Sequence, residues 1–117
     1  SNVFFYENYK SVLKILKKNV ETLKFNEKIS IIEKDIFDKN NFIKLKNKFD
    51  IIFMDPPFKE KNISKLIENI IDLNLLKEKG IIIIHRHKKE KDNYPKNFNI
   101  LLKKTYGISK IIFGNYA

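Results

Sequence analysis

Residues 81–84 of this sequence read Ile-Ile-Ile-Ile, and residues 51–54 read Ile-Ile-Phe-Met. A strand with one wet face alternates apolar and polar side chains, so an unbroken apolar run implies a strand covered on both faces. Between the two runs, Ile63, Leu66, Ile67, Ile70 and Ile71 recur at helical spacing from a start near Asn62, a residue type suited to an N-cap. Strand, helix, strand is the unit from which parallel sheets are built.

The rest of the chain extends the same alternation. VFFY, residues 3–6, reads as a short strand ending at Glu7 and Asn8. Val12, Leu13, Leu16, Val20 and Leu23, with lysines between them, predict an amphipathic helix from about Tyr9 to Lys24. Ile29, Ile31 and Ile32 suggest a second strand that runs out near Glu33 to Asp35, and Phe42, Ile43 and Leu45 would pack a short helix or loop ahead of the third strand, Ile51 to Met54. Gly80 marks a stop before the fourth strand. HRHKKEKDNYPKN is polar, basic and broken by Pro95, which predicts a long exposed loop. Two last strands, about Asn99 to Tyr106 and Ser109 to Phe113, would turn at Gly107 and pair antiparallel. The expected architecture is one α/β domain over residues 1–117, mostly parallel with a terminal hairpin.

With 43% hydrophobic residues, including ten phenylalanines, the chain can bury a core, and no stretch approaches the roughly 18 to 20 apolar residues a membrane span needs. No secretory signal opens the chain, and the absence of cysteine excludes disulfides and thiolate metal sites, so a soluble cytoplasmic protein is expected. Lysine plus arginine exceed aspartate plus glutamate by 24 to 14, a net charge of +10. Such a surface attracts a polyanion such as nucleic acid, although AT-rich codons would also enrich lysine, isoleucine and asparagine.

FDIIFMDPPF, residues 49–58, places two of the three prolines side by side just past an apolar strand. Ligands of open α/β sheets gather beyond the carboxyl ends of the strands, where Asp55 would stand. Pro56 keeps Asp55 extended, Pro57 does the same for Pro56, and neither carries an N–H. The main-chain carbonyls and the Asp55 carboxylate would then form a stiff acceptor cluster with no neighbouring donor to occupy it, suited to an NH₂ group, with Phe58 able to stack on a planar ring. The plainer alternative is a Pro-Pro turn that closes a strand, with Asp55 capping a helix.

DPPF resembles the [DNS]-P-P-[YFW] motif of S-adenosylmethionine-dependent methyltransferases that modify exocyclic amines of nucleobases. Together with the strand that ends at Glu7 and the helix carrying KKNVETLKF, FDIIFMDPPF resembles the RsmD family, which methylates guanine N2 in 16S ribosomal RNA. The resemblance implies a Rossmann-like class I sheet, S-adenosylmethionine as cofactor, and ribosomal RNA or an assembling small ribosomal subunit as partner. It implies Asp55, Pro56, Pro57 and Phe58 as the catalytic corner. An aromatic amine is a poor nucleophile until its N–H groups are held by acceptors and its lone pair is redirected, and the target base must be flipped out or already unpaired.

On the cofactor side, Glu7 would meet ribose hydroxyls, Asp35 the adenine amino group, and Ile36 would line the adenine pocket. Either acid could instead favour the N-terminus of a following helix. His85 and His87, two apart and without a third ligand, make no metal site. Arg86, Lys88 and Lys89, with Lys59 and Lys61, would contact phosphates or simply be solvated.

The chain departs from the family pattern in one respect. Its glycines are Gly80, Gly107 and Gly114, and it begins where the family's second strand would be, with Ser1 and Asn2 matching the remnant of a cleaved tag. The usual first strand and glycine-rich loop are therefore lacking, which would leave an unpaired edge in the middle of the sheet. An adenine-N6 DNA methyltransferase and a non-catalytic RNA-binding remnant remain alternatives.

Overall fold

The computed structural model describes residues 3–24, 29–33, 35–41, 48–57 and 59–116. Ser1, Asn2, Phe42, Ile43, Leu45 and Phe58, all invoked above, lie outside them. The chain divides into two compact units, Ser1–Lys44 and Leu45–Ala117, each with its own sheet.

In the first unit, β1 (Val3–Tyr6) and β2 (Ile29–Ile32) run parallel, with Val3 opposite Ile29 and Tyr6 opposite Ile32. The Glu7 N–H donates to the Ile32 carbonyl at 3.1 Å and carries the ladder one residue further. Parallel strands need a crossover, here α1 (Lys10–Leu23), whose sequence holds no glycine or proline. Leu13 and Val20, two turns apart, are buried, whereas Val12 and Leu23 are exposed despite being expected on the same face. Val12 stands about 100° around the helix from Leu13, and Leu23 falls in the last turn. Lys24 ends the helix at φ 58, with its N–H on the Glu21 carbonyl, and Lys17 pairs with Glu33 just past β2.

The second unit holds β3 (Phe49–Met54), α2 (Ile63–Asp72), β4 (Leu76–His87), β5 (Phe98–Tyr106) and β6 (Ser109–Tyr116), in sheet order β3-β4-β6-β5. β3 and β4 are parallel, and the other pairs antiparallel. Tyr106 faces Ser109 across a two-residue turn in which Gly107 has φ 57, as a tight hairpin with glycine at its first central position requires. Ile63, Leu66, Ile67 and Ile70 of α2 are buried together with Met54, Ile82, Ile84 and Ile112 of the sheet. Each such side chain contributes about 1.5–3 kcal/mol relative to exposure. Ile71, expected among them, is only half-buried.

Several expected boundaries move. Strand β4 begins at Leu76, because Phe49 pairs with Leu76 while Ile51 pairs with Ile81, and the surplus residues of β4 bulge with Lys79 at φ 66. Gly80 is thus inside a strand, and its small size serves close packing: a Cβ there would come within 2.7 Å of the Leu76 side chain. The far end also runs on. His85, Arg86 and His87, assigned above to a loop, pair with Ile111, Lys110 and Ser109 of β6.

Cover on both faces is not provided by this unit's own elements. Ile82 and Ile84 are 0% exposed on the α2 side, whereas Ile81 is 36% exposed, and Ile51 and Phe53 on the edge strand β3 are 63% and 60% exposed. Asn62 occupies the N-cap position of α2, yet its side chain makes no capping bond; its N–H instead meets the Glu60 carboxylate at 2.9 Å.

Candidate active site

Asp55 follows the last residue of β3, at its carboxyl end, with its side chain 56% exposed. Pro56 beneath it is buried and Pro57 is exposed. Two consecutive residues of β4 grip this corner from opposite faces of the sheet. The parallel register sets Phe53 beside Ile83 and Met54 beside Ile84, so Asp55 and His85 come next on a shared face. His85 Nδ1 lies 2.8 Å from Asp55 Oδ1, and His85 Nε2 lies 2.8 Å from Ser109 Oγ.

Arg86 points the other way and has no exposed surface. Its Nη1 donates to the Pro57 carbonyl at 3.0 Å and its Nη2 to the Glu60 carbonyl at 2.7 Å. Asp92 closes the guanidinium from the following loop, with Nε to Oδ2 at 2.8 Å and Nη2 to Oδ1 at 2.9 Å. A charge taken wholly out of water is tolerated when it is paired and hydrogen-bonded in this way.

Two expectations are corrected by these contacts. Arg86 does not reach solvent to contact phosphate, since it is buried and committed to four acceptor sites. Nor is the corner without neighbouring donors. The Pro57 carbonyl takes Arg86 and the Glu60 N–H at 2.9 Å, and Asp55 Oδ1 takes His85. Among the described residues no donor reaches the Pro56 carbonyl or Asp55 Oδ2. Nothing in the sequence alone marked His85 and Arg86 as supports of the corner; the signal was strand parity, two residues past an apolar run that pairs with the strand before Asp55.

The segment after β4 is tied down rather than loose. Lys61 pairs with the Glu90 carboxylate at 2.8 Å, and that hydrogen bond holds the Glu90 carboxyl below its usual range. The Lys110 ammonium meets the Glu90 carbonyl, and the Tyr94 ring lies 5.5 Å from that of Phe98. Burial, with the Asp92 charge second, pushes the Tyr94 phenol up to about 12. Lys59, Lys61, Lys88 and Lys89 remain exposed.

In the first unit, the half-buried Glu7 accepts the Asn8 and Tyr9 N–H groups at 3.2 and 3.0 Å, both on Oε1, just before α1. Asp35 accepts the Phe37 N–H at 2.9 Å on Oδ1, with half-buried Ile36 between them. One oxygen of each acid thus orders the local turn, and neither Glu7 Oε2 nor Asp35 Oδ2 has a donor among the described residues. His87 Nδ1 accepts the Lys89 N–H at 3.1 Å, and no cluster of three metal-ligating side chains occurs among the described residues.

A family model described as Conserved hypothetical protein 95 matches residues 1–115. The chain belongs to this family. It is 36% identical over 111 residues to the Ribosomal RNA small subunit methyltransferase D of Haemophilus influenzae, which covers 91% of this chain and 55% of that protein. The counterpart of the same description from Buchnera aphidicola is 35% identical over 104 residues, covering 85% and 54%. This family member therefore spans about half the length of the curated relatives it matches.

A solved Haemophilus influenzae structure superposes with a TM-score of 0.78 at 31% identity, covering 97% of this chain and 71% of that one. A Podospora anserina methyltransferase bound to SAH shares the fold at a TM-score of 0.75 and 12% identity, covering 100% of this chain and 61% of that one. The expected Rossmann-like α/β methyltransferase fold, with an antiparallel terminal hairpin, is the one this family member adopts. No described helix is long and apolar enough to cross a membrane.

Proposed function

We propose that this chain carries the acceptor corner and cofactor-side acids of an S-adenosylmethionine-dependent methyltransferase that modifies the exocyclic N2 of a guanine in 16S ribosomal RNA. The observation that carries the reading is the exposed Asp55 carboxylate at the carboxyl end of β3, held through Oδ1 and with Oδ2 met by no described donor, next to a Pro56 carbonyl that no described donor reaches. Family membership and the description of the Haemophilus and Buchnera relatives as ribosomal RNA small subunit methyltransferases support it.

Asp55 Oδ2 and the Pro56 carbonyl would accept the two N–H groups of the amine, bending its lone pair out of the ring plane. Phe58 would stack on the base, and Asp55 would take the proton the nitrogen sheds once the new N–C bond has formed. When bound, S-adenosylmethionine supplies a methyl carbon on a sulfonium whose departing electron pair stays with sulfur. The acids fit such a group, because each keeps one carboxylate oxygen without a described partner while the other is fixed by backbone N–H donors. Glu7 Oε2 would meet ribose hydroxyls and Asp35 Oδ2 the adenine amino group, with Ile36 against the adenine ring. The net charge of +10 supports a polyanionic partner, and the target nucleotide would be met unpaired or flipped.

The test is transfer of labelled methyl from S-adenosylmethionine to unmethylated small-subunit ribosomal RNA, to assembling small subunits and to duplex DNA. Label recovered as N2-methylguanine from ribosomal RNA, lost in Asp55→Ala with RNA affinity kept, is the expected result. Label in DNA adenine, or full transfer by Asp55→Ala, would overturn the reading. Calorimetric titration of Glu7→Ala with the cofactor should show weaker binding than the parent chain.

A further inference from the structure

Asp55, His85 and Ser109 belong to three adjacent strands or their ends, and the register fixes them on one face. His87 pairs with Ser109 and His85 with Ile111, so the Ser109 side chain lies diagonally beside His85. Both ring nitrogens are engaged at 2.8 Å, one by the carboxylate and one by the hydroxyl. An ionised carboxylate only accepts hydrogen bonds, so Nδ1 carries the proton. In the neutral ring Nε2 is then an acceptor, which the Ser109 hydroxyl fills.

Serine, histidine and aspartate in this connectivity also occur in hydrolases, where the serine is presented to substrate and the acid is buried behind the ring. Here the order of exposure is reversed. The Asp55 side chain is 56% exposed, the His85 side chain 25%, and the His85 to Ser109 contact is part-buried. Ser109 is also locked into the β6 ladder opposite both His87 and Tyr106. The chain of bonds therefore ends on the carboxylate, and the serine serves the histidine.

We infer that His85, protonated at Nδ1 against Asp55 and held at Nε2 by the Ser109 hydroxyl, is the positioning residue that fixes the Asp55 carboxylate and leaves Oδ2 as its one oxygen for substrate. The inference rests on the reading of Asp55 as the amine acceptor and deepens it. A carboxylate with both oxygens open would take two donors by itself and could rotate about its last bond. One held through Oδ1 offers a single acceptor, and the Pro56 carbonyl offers a second. Two fixed acceptors match a primary amine, which has two N–H donors. A hydroxyl or a ring N–H has one donor and would leave an acceptor unfilled. His85 and Ser109 thereby select an exocyclic amino group before chemistry begins, and gain rate through orientation.

Two measurements test this. In the ¹⁵N-labelled full 117-residue chain, the His85 ring should show the Nδ1-protonated tautomer at neutral pH, and Ser109→Ala should change that signal. An Nε2-protonated ring with bare Nδ1 would overturn the inference whether or not the chain transfers methyl. In the transfer assay, His85→Ala should lower kcat about 10- to 100-fold, with KM for RNA changed less than about twofold. His85→Asn, whose amide nitrogen can replace Nδ1, should recover most of the rate, and His85→Gln should not. If Asn and Ala are equally impaired in folded variants, or His85→Ala retains the parent rate while Asp55→Ala has none, the positioning role fails and the proposed function stands. If Asp55→Ala retains full transfer, the proposed function fails first.

Discussion

Arg86 and Asp92 form a two-pronged ion pair inside the protein, with Nε to Oδ2 at 2.8 Å, Nη2 to Oδ1 at 2.9 Å, and no guanidinium surface left to solvent. The same guanidinium reaches the Pro57 and Glu60 carbonyls, so a single side chain joins the loop after β4 to the turn between β3 and α2. The stiffness that two prolines give the Asp55 corner is thereby anchored from below.

Arg86→Ala leaves the buried Asp92 carboxylate without its guanidinium partner and the Glu60 carbonyl without the Arg86 donor, while the Pro57 carbonyl keeps only the Glu60 N–H. The expected loss of unfolding free energy is about 3–5 kcal/mol, read from urea titration. Arg86→Lys should recover only part of it, because one ammonium cannot span four acceptor sites in a plane. A loss below about 1 kcal/mol for the alanine variant would mean that the pair contributes no net stability and that the loop has another anchor.

Much of the fold could be read from the apolar runs, because VFFY, IIFM, IIII and the Ile63 to Ile70 stripe are dense enough for periodicity to decide their type. The ends of β4 could not. Lys77 to Gly80 are polar yet continue the strand as a bulge beside Leu76, and His85 to His87 are polar yet backbone-paired to β6. Composition separates apolar from polar, whereas ladder membership depends on whether a neighbouring strand is long enough to offer partners. The site shows the same division. The Asp55 corner was legible because proline geometry is local, and the roles of His85, Arg86 and Ser109 were not, because they arise from register between strands far apart in sequence.

Two glycines should respond differently to substitution. Gly114 lies against the buried Phe98, and a Cβ there would come within 2.7 Å of the ring's Cε1 and 2.8 Å of the Asn99 carbonyl. Gly107 has open space around it, but its φ is 57. Gly114→Ala should cost about 1–3 kcal/mol by overpacking, and Gly107→Ala about 1–2 kcal/mol by backbone strain. Asn should be tolerated better than Ala at 107, since it accepts positive φ, and worse than Ala at 114, where size is the difficulty. Thermal unfolding of the four variants separates the two causes, and the same Ala-to-Asn ranking at both positions would contradict it.

Lys59 lies just past the Asp55 corner in sequence, and Lys88 and Lys89 directly follow β4; with Lys61 paired to Glu90, these three exposed side chains are the ones that the burial of Arg86 leaves for phosphate contact. Each lysine that neutralises one phosphate should reduce the slope of log affinity against log salt by about one when changed to alanine. Affinity for single-stranded RNA of unrelated sequences should fall uniformly. A triple variant with an unchanged salt slope would place the RNA on another face.

Tyr94 provides a pH test. Its hydroxyl is buried with no hydrogen-bond partner among the described residues, and its pKa is raised from the ordinary 10.0 to about 12, by burial first and the Asp92 charge second. Between those values the unfolded chain has released the phenolic proton while the folded chain retains it. Stability linked to Tyr94 is therefore fully present below pH 10 and is lost as pH rises toward 12. Tyr94→Phe removes that titration and an unsatisfied hydroxyl while keeping the ring against Phe98. The variant should be as stable as the parent or more so at pH 7, and should lose less stability than the parent between pH 10 and 12. Urea unfolding at a series of alkaline pH values reads both effects, and parallel curves for the two proteins above pH 10 would show that Tyr94 ionises in the native state as easily as in the unfolded one.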